Sequence, residues 1–170
     1  MIYGYVRPLY DDPNSTKQLN LLQEKCQIIF KEEHGEPKKR NQLENLLMQL
    51  KPGDVIIVQK MIVLADTFHH FMDLLKLCEK DEVNIHFLEE NIQSDELLHL
   101  KLKDMMVHIL QFQTDLIKQS TNIGIEKARQ KGKRIGRPKK TNDNIKKAIS
   151  MYEEGYTLFE IKNETGISKS

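Results

Sequence analysis

Apolar and polar positions along the first ninety or so residues switch repeatedly between two periods. Ile2 to Arg7 alternates and is rich in β-formers, which predicts a strand. Asp11-Asp12-Pro13-Asn14-Ser15 is a turn cluster. Ser15 or Thr16 then caps a helix running to about Lys25. Ile28-Ile29-Phe30 reads as a second strand, and His34-Gly35-Glu36-Pro37 breaks the pattern. Leu43, Leu46, Leu47 and Leu50 recur at helical spacing and stop at Lys51-Pro52-Gly53-Asp54. Val55-Ile56-Ile57-Val58 is continuously apolar, as in a strand buried on both faces. Phe68, Phe71, Met72, Leu75 and Leu77 mark another amphipathic helix, and Val83 to Leu88 alternates again. Strand and helix in alternation predict an α/β domain with a mainly parallel sheet, residues 1–94.

The pattern then changes. From about Asp95 to Arg129 there is no proline and a single glycine, Gly124, and apolar residues from Leu98 to Ile117 recur every three or four positions. This predicts one long helix, residues 95–130, roughly 50 Å from end to end at 1.5 Å per residue. Two readings of its stripe stand: a core helix with a frayed end, or a helix whose stripe also meets a second subunit. Residues 131–142 form a basic linker punctuated by Gly132, Gly136 and Pro138. Ile145–Tyr152 and Leu158–Glu164 read as two short helices around Gly155-Tyr156-Thr157, so residues 143–170 resemble the first two thirds of a helix-turn-helix. A third helix would begin at about Ser168.

Charge sharpens this division. The net charge is +1, but residues 123–170 hold twelve Lys and Arg against six Asp and Glu, so the first 122 carry −5. A basic tail behind an acidic body points to a polyanionic partner. Eight of those cations lie between Glu126 and Lys140: Lys127, Arg129, Lys131, Lys133, Arg134, Arg137, Lys139 and Lys140. The alternative for this stretch is a solvated basic linker. The composition, 39 % hydrophobic and 30 % charged, suits a soluble domain with a real core. No apolar run has the length of a membrane span, and the opening residues are strand-like rather than a secretory leader. Cys26 and Cys78 stand alone in apolar segments and read as buried thiols of a reducing compartment. His69-His70 lacks the spacing of a metal site, so neither a metal nor a cofactor is expected.

Four segments, in order, resemble the serine recombinases of the resolvase/invertase family: Tyr3-Gly4-Tyr5-Val6-Arg7, Gly53 to Lys60, Thr121 to Lys133, and Gly136-Arg137-Pro138-Lys139-Lys140 followed by Met151 to Tyr156. The resemblance covers essentially the whole chain. It implies a resolvase-like α/β domain, a dimerisation helix and double-stranded DNA as partner. It also implies metal-free phosphoryl transfer, in which a serine attacks the DNA phosphate while arginines hold the charge. The same resemblance implies bacterial cytoplasm as the setting.

The chemistry-bearing positions depart from the family. Its Tyr-x-Arg-Val-Ser-Thr stands here as Tyr5-Val6-Arg7-Pro8-Leu9-Tyr10, so Leu9 occupies the nucleophile position and only Arg7 survives. Its Leu-Asp-Arg-Leu-x-Arg stands as Met61-Ile62-Val63-Leu64-Ala65-Asp66. On the long helix, Glu-Arg and Glu-Arg-Thr have become Gln113-Thr114 and Gln119-Ser120-Thr121. Arg7 and Arg40 are the remaining candidates for phosphate binding. Tyr10 adjoins the nucleophile position, but a one-residue shift turns a side chain to the other face if the strand continues. Losing a nucleophile alone costs a factor of about a million in rate. The expectation is therefore a DNA-binding family member without catalysis, a structural or regulatory partner that forms a homodimer or higher oligomer through the helix from about Asp95, or pairs with an active relative. Two alternatives stay open: an active site-specific recombinase, and a protein–protein interaction module that does not bind DNA. The basic stretch around Gly136-Arg137-Pro138 is of the type that lies in a narrow minor groove in recombinases of this family.

Overall fold

The structure is a computed structural model that describes residues 1–37, 40–133, 135–137 and 142–167, without the side chains of Leu98 and Asn142. Two compact units divide the chain, residues 1–131 and 132–170.

The first unit is an α/β domain. Its strands β1 (Ile2–Val6), β2 (Ile28–Lys31), β3 (Val55–Val58), β4 (Asn84–Phe87) and β5 (Ile92–Gln93) make one sheet in the order β2-β1-β3-β4-β5. The first four are parallel, and β5 alone runs antiparallel, against β4. Helices α1 (Thr16–Leu22), α2 (Asn41–Leu47), the single turn α3 (Met61–Leu64) and α4 (Phe68–Lys80) make the crossovers. The alternation of period in the sequence thus becomes a mixed α/β fold with a mostly parallel sheet.

Strand period decides which side chains meet. Tyr3, Tyr5, Ile56, Val58, Ile85 and Phe87 bury into the larger core with Leu43, Leu46, Phe71, Leu74 and Phe112. Val6 and Ile57 face the other way, against Leu22. Gly4 lies on that second face because α1 comes too close for a side chain: a Cβ there would stand 2.8 Å from Leu22 Cδ2 and 3.1 Å from Cys26 Sγ. Both cysteines are free thiols; Cys78 is buried, whereas Cys26 is only partly so.

The long helix, α5, spans Leu102–Gln130. It starts later than the apolar spacing predicts, because residues 97–99 close a separate 3-10 turn. At 29 residues it is roughly 44 Å long. Its stripe is only partly covered. Phe112 is buried together with two polar residues, Asp115 and Gln119, while Leu102, Met106, Val107, Leu110 and Ile117 are all more than half exposed.

The second unit contains α6 (Asn142–Glu153) and α7 (Leu158–Thr165). They pack through Ala148, Ile161 and Thr165, with a Lys147–Glu164 ion pair at 2.6 Å. Thr157 and Glu160 cap α7 reciprocally, which satisfies two of its free amide donors. The expected third helix from Ser168 lies outside the described residues. Among the described residues, no helix is long and apolar enough to cross a membrane.

Candidate functional site

The carboxyl ends of parallel strands are where α/β sheets place their ligands. Here the ends of β1 and β3 converge on a buried ionic cluster. Arg7 follows β1 and is fully buried. Its Nη1 donates to Asp66 Oδ1 at 2.7 Å, and its Nη2 donates to the carbonyls of Ile62 and, at 3.3 Å, Ala65. Arg40, just before α2, is 5 % exposed. Its Nη1 donates to the carbonyls of Val63 at 3.2 Å and Leu64 at 2.6 Å, and its Nη2 to Asp66 Oδ2. The reason is local. A single helical turn leaves its last four carbonyls without intrahelical partners, and three of those in α3, of Ile62, Val63 and Leu64, accept from the two arginines. The two guanidiniums supply the missing donors, and Asp66, two residues past the helix, binds both.

The cluster has no spare charge. Glu32, also buried, accepts from the Tyr5 hydroxyl at 3.2 Å and from the amides of Gln42 and Leu43 at 3.0 Å each. Glu32 meets the arginines only through Tyr5, and the formal charges of Arg7, Arg40, Asp66 and Glu32 sum to zero. Burial, then the charge of Arg40, brings the Arg7 guanidinium down to about 10 despite the support of Asp66. Burial above all pushes the Tyr5 hydroxyl up.

Leu9 is 3 % exposed and belongs to the main core. Its backbone pairs with Asp12 through amide–carbonyl bonds of 3.2 and 3.1 Å, closing a tight loop. Met61, Ile62, Val63 and Leu64, where the family pattern has polar residues at two positions, are all buried. Tyr10 turns away toward α5. Its amide donates to Gln119 Oε1 at 2.6 Å and its hydroxyl to Asp115 Oδ1 at 3.3 Å. Gln119 Nε2 donates to the carbonyls of Gly35 at 3.1 Å and Pro8 at 3.4 Å. A Cβ on Gly35 would lie 2.1 Å from the Pro8 carbonyl oxygen, so only glycine fits there. Lys60 pairs with Asp11 at 2.9 Å, and its ammonium lies 5.7 Å from the Tyr10 ring centre. Burial, then Asp115 and Asp11, raises the pKa of the Tyr10 phenol. Asp115 and Glu32 were not singled out from the sequence, while Gly35 and Lys60 figured there only within a pattern break and a family-like segment. The signal for the first was a polar residue four positions before Gln119 on an otherwise apolar stripe. Gln113, Thr114, Ser120 and Thr121 are exposed.

The basic candidates are arranged oppositely. Lys127, Arg129 and Lys131 end the first unit, all exposed, with ion pairs from Lys127 to Glu36 at 3.4 Å and from Arg129 to Glu126 at 2.8 Å. In the second unit, Lys133 and Arg137 are exposed. Arg134, Lys139 and Lys140 lie outside the described residues. Among the described residues, no three His, Cys, Asp or Glu side chains gather as a metal would need.

Comparison with known proteins places these features in a family context. The family model described as "Resolvase, N terminal domain" matches residues 2–134. The resolvase of transposon Tn917 from Enterococcus faecalis is 30 % identical over 173 residues, an alignment covering all of this chain and 94 % of that protein. A DNA-invertase of Escherichia phage P1 is 27 % identical over 159 residues, covering 91 % of this chain and 85 % of its own length. The transposon Tn3 resolvase of Escherichia coli is 25 % identical over 173 residues, covering 99 % and 92 %.

Proposed function

The chain belongs to the resolvase/invertase family of serine recombinases, and from that premise we propose that it is a DNA-binding member that does not cleave DNA and acts as a structural or regulatory partner on it. One observation carries the reading. Asp66 binds both surviving arginines and cancels one of their two charges, so the donors that would meet a phosphate are already taken. Phosphoryl transfer depends on donors preorganised for the developing charge. Here those donors are spent on one carboxylate and four carbonyls.

The nucleophile argues the same way. Leu9 has no group to attack phosphorus. Tyr10, the nearest hydroxyl in sequence, donates a hydrogen bond to Asp115, and its raised pKa works against the phenolate. Removing the nucleophile costs a factor of about a million by itself, before the loss of the arginines is counted.

The DNA-binding part is assigned to the basic stretch: Lys127, Arg129, Lys131, Lys133, Arg134, Arg137, Lys139 and Lys140. Double-stranded DNA is the partner, held mainly by phosphate contacts. The exposed apolar residues Leu102, Met106, Val107, Leu110 and Ile117 of α5 support a second copy of the chain, or an active relative, as protein partner.

Fluorescence anisotropy with generic and A·T-rich duplexes at two salt concentrations tests the DNA half. The expected result is binding that weakens steeply with salt, the slope of log K against log salt being about −0.9 per phosphate contacted. No binding at low salt would leave an interaction module in its place. A covalent protein–DNA adduct on a cognate site would overturn the loss of catalysis.

A further inference from the structure

We propose that the cavity between α4 and α5 is a binding site for a small organic cation with an apolar body. The inference goes beyond the reading above and does not rest on it, because the cavity involves neither the arginine cluster nor the basic stretch.

The cavity has a volume of about 610 Å³, within the roughly 300–1,000 Å³ usual for small-molecule sites. Its walls are Phe71, Met72 and Leu75 of α4 and Met105, Ile109 and Phe112 of α5. Such an enclosure suits an apolar body, and unbranched methionines adapt to its shape. It is not the surface offered to a second copy of the chain. On α5 that surface is Leu102, Met106, Val107, Leu110 and Ile117, centred about a third of a turn around the helix from Met105, Ile109 and Phe112.

The polar groups around the cavity select the sign of the ligand. Its titratable lining is Lys76 and Glu79 on α4, Glu82 just after it, Asp95 after β5 and His108 on α5. With His108 neutral, three carboxylates stand against one ammonium, a net charge of −2. Glu79 and Glu82 are exposed and, among the described residues, make no ion pair. Asp95 accepts one hydrogen bond, from Asn84 Nδ2 at 3.4 Å, and Asn84 in turn accepts from the Ser94 hydroxyl at 3.3 Å. The carboxylates therefore have acceptor capacity and charge to spare. The aromatic walls point the same way. The Phe71 and Phe112 rings lie 5.2 Å apart, and the face of a phenyl ring attracts a cation.

Methionine methyl groups report on the site. Met61, Met72 and Met105 line the cavity, whereas Met1, Met48, Met106 and Met151 do not. The full chain, isotope-labelled at these methyls, is titrated with hexylamine, hexanol and hexanoate while its NMR spectrum is followed. The three probes share one body and differ in the charge of the head at neutral pH, and ionic strength is held constant. Hexylamine is expected to shift the three cavity methyls saturably and leave the other four in place. Its affinity should exceed that of hexanol by about fivefold, the scale of exposed ion pairs, with hexanoate the weakest. The Glu79→Gln, Glu82→Gln double variant leaves Asp95 and Lys76 to cancel. It should lose the preference for the amine and bind hexanol as before. Should that variant not fold, the ranking of the three heads in the wild type tests the same point. The inference is overturned if hexanoate binds as tightly as hexylamine, or if the double variant keeps the preference. It is overturned equally if Met106 shifts in place of the cavity methyls. No shift with hexylamine up to about 10 mM, where a ligand of this size saturates a site formed for it, would overturn it as well.

Discussion

Arg7 and Arg137 are the same side chain in opposite settings. Arg7 is fully buried at the end of β1, with two carbonyl acceptors and a counter-charge. Arg137 is exposed in a stretch where cations outnumber anions eight to one between Glu126 and Lys140. Taking a guanidinium out of water costs several kcal/mol unless partners are supplied. Once they are supplied, the charge is bound up in the fold and has little left to offer a ligand. An exposed guanidinium carries no such cost and keeps its field, which acts within about 10 Å at ordinary salt. In this chain, burial separates the arginine that holds structure from the arginines available to a polyanion.

The largest effect that would sharpen this contrast lies at Arg7. Arg7→Ala removes the counter-charge to Asp66 Oδ1 and strands the carbonyls of Ile62 and Ala65 in the core. Breaking a buried pair from one side costs about 3–5 kcal/mol. Urea unfolding should show a loss of that size, with the slope against denaturant unchanged. A loss below about 1 kcal/mol would mean that the cluster contributes little to folding, and the contrast would fail at its buried end.

Restoring the nucleophile is the next step down. Leu9→Ser puts the family's hydroxyl back but empties a buried apolar position in the main core. Large-to-small changes of this kind cost about 2–5 kcal/mol. The variant should be less stable and still form no covalent adduct with DNA, because Arg7 and Arg40 remain bound to Asp66. Denaturing gel analysis after incubation with a recombination site reads this directly. Adduct formation by the single variant would show that the arginines are free enough to serve chemistry.

How much of this was legible in the sequence follows from the range of the interactions. The strands and crossovers depend on side chains two to four positions apart, and Ile2–Val6, Val55–Val58 and Phe68–Lys80 form where the periods place them. The long helix was legible in kind but not at its start. Leu98 and Leu102 keep the helical spacing across a 3-10 turn that ends at His99. α3 was invisible, since Met-Ile-Val-Leu has no period to tell a helical turn from a strand. At the site, the replacement of an arginine by Asp66 was readable as a charge reversal. Its partnership was not, because Arg7 lies 59 residues away and Arg40 lies 26 away. For the same reason the bonds from Tyr10 to Asp115 and Gln119 had no local signature.

The smallest effect on stability, and the one that tests the exposed end of the contrast, is expected in the basic stretch. Lys131, Lys133 and Arg137 are exposed, and changing them to glutamine should leave folding stability within about 0.5 kcal/mol, as for surface substitutions generally. Binding should respond quite differently. Each of the three that meets a phosphate should take about 0.9 from the salt slope and weaken affinity similarly for every DNA sequence. If the triple variant bound DNA with an unchanged slope, these charges would be solvated linker residues, and the DNA contact would have to come from another part of the chain. If it lost stability in proportion to binding, the exposed arginine would be holding the fold together just as the buried one does, and the distinction drawn from burial would not hold.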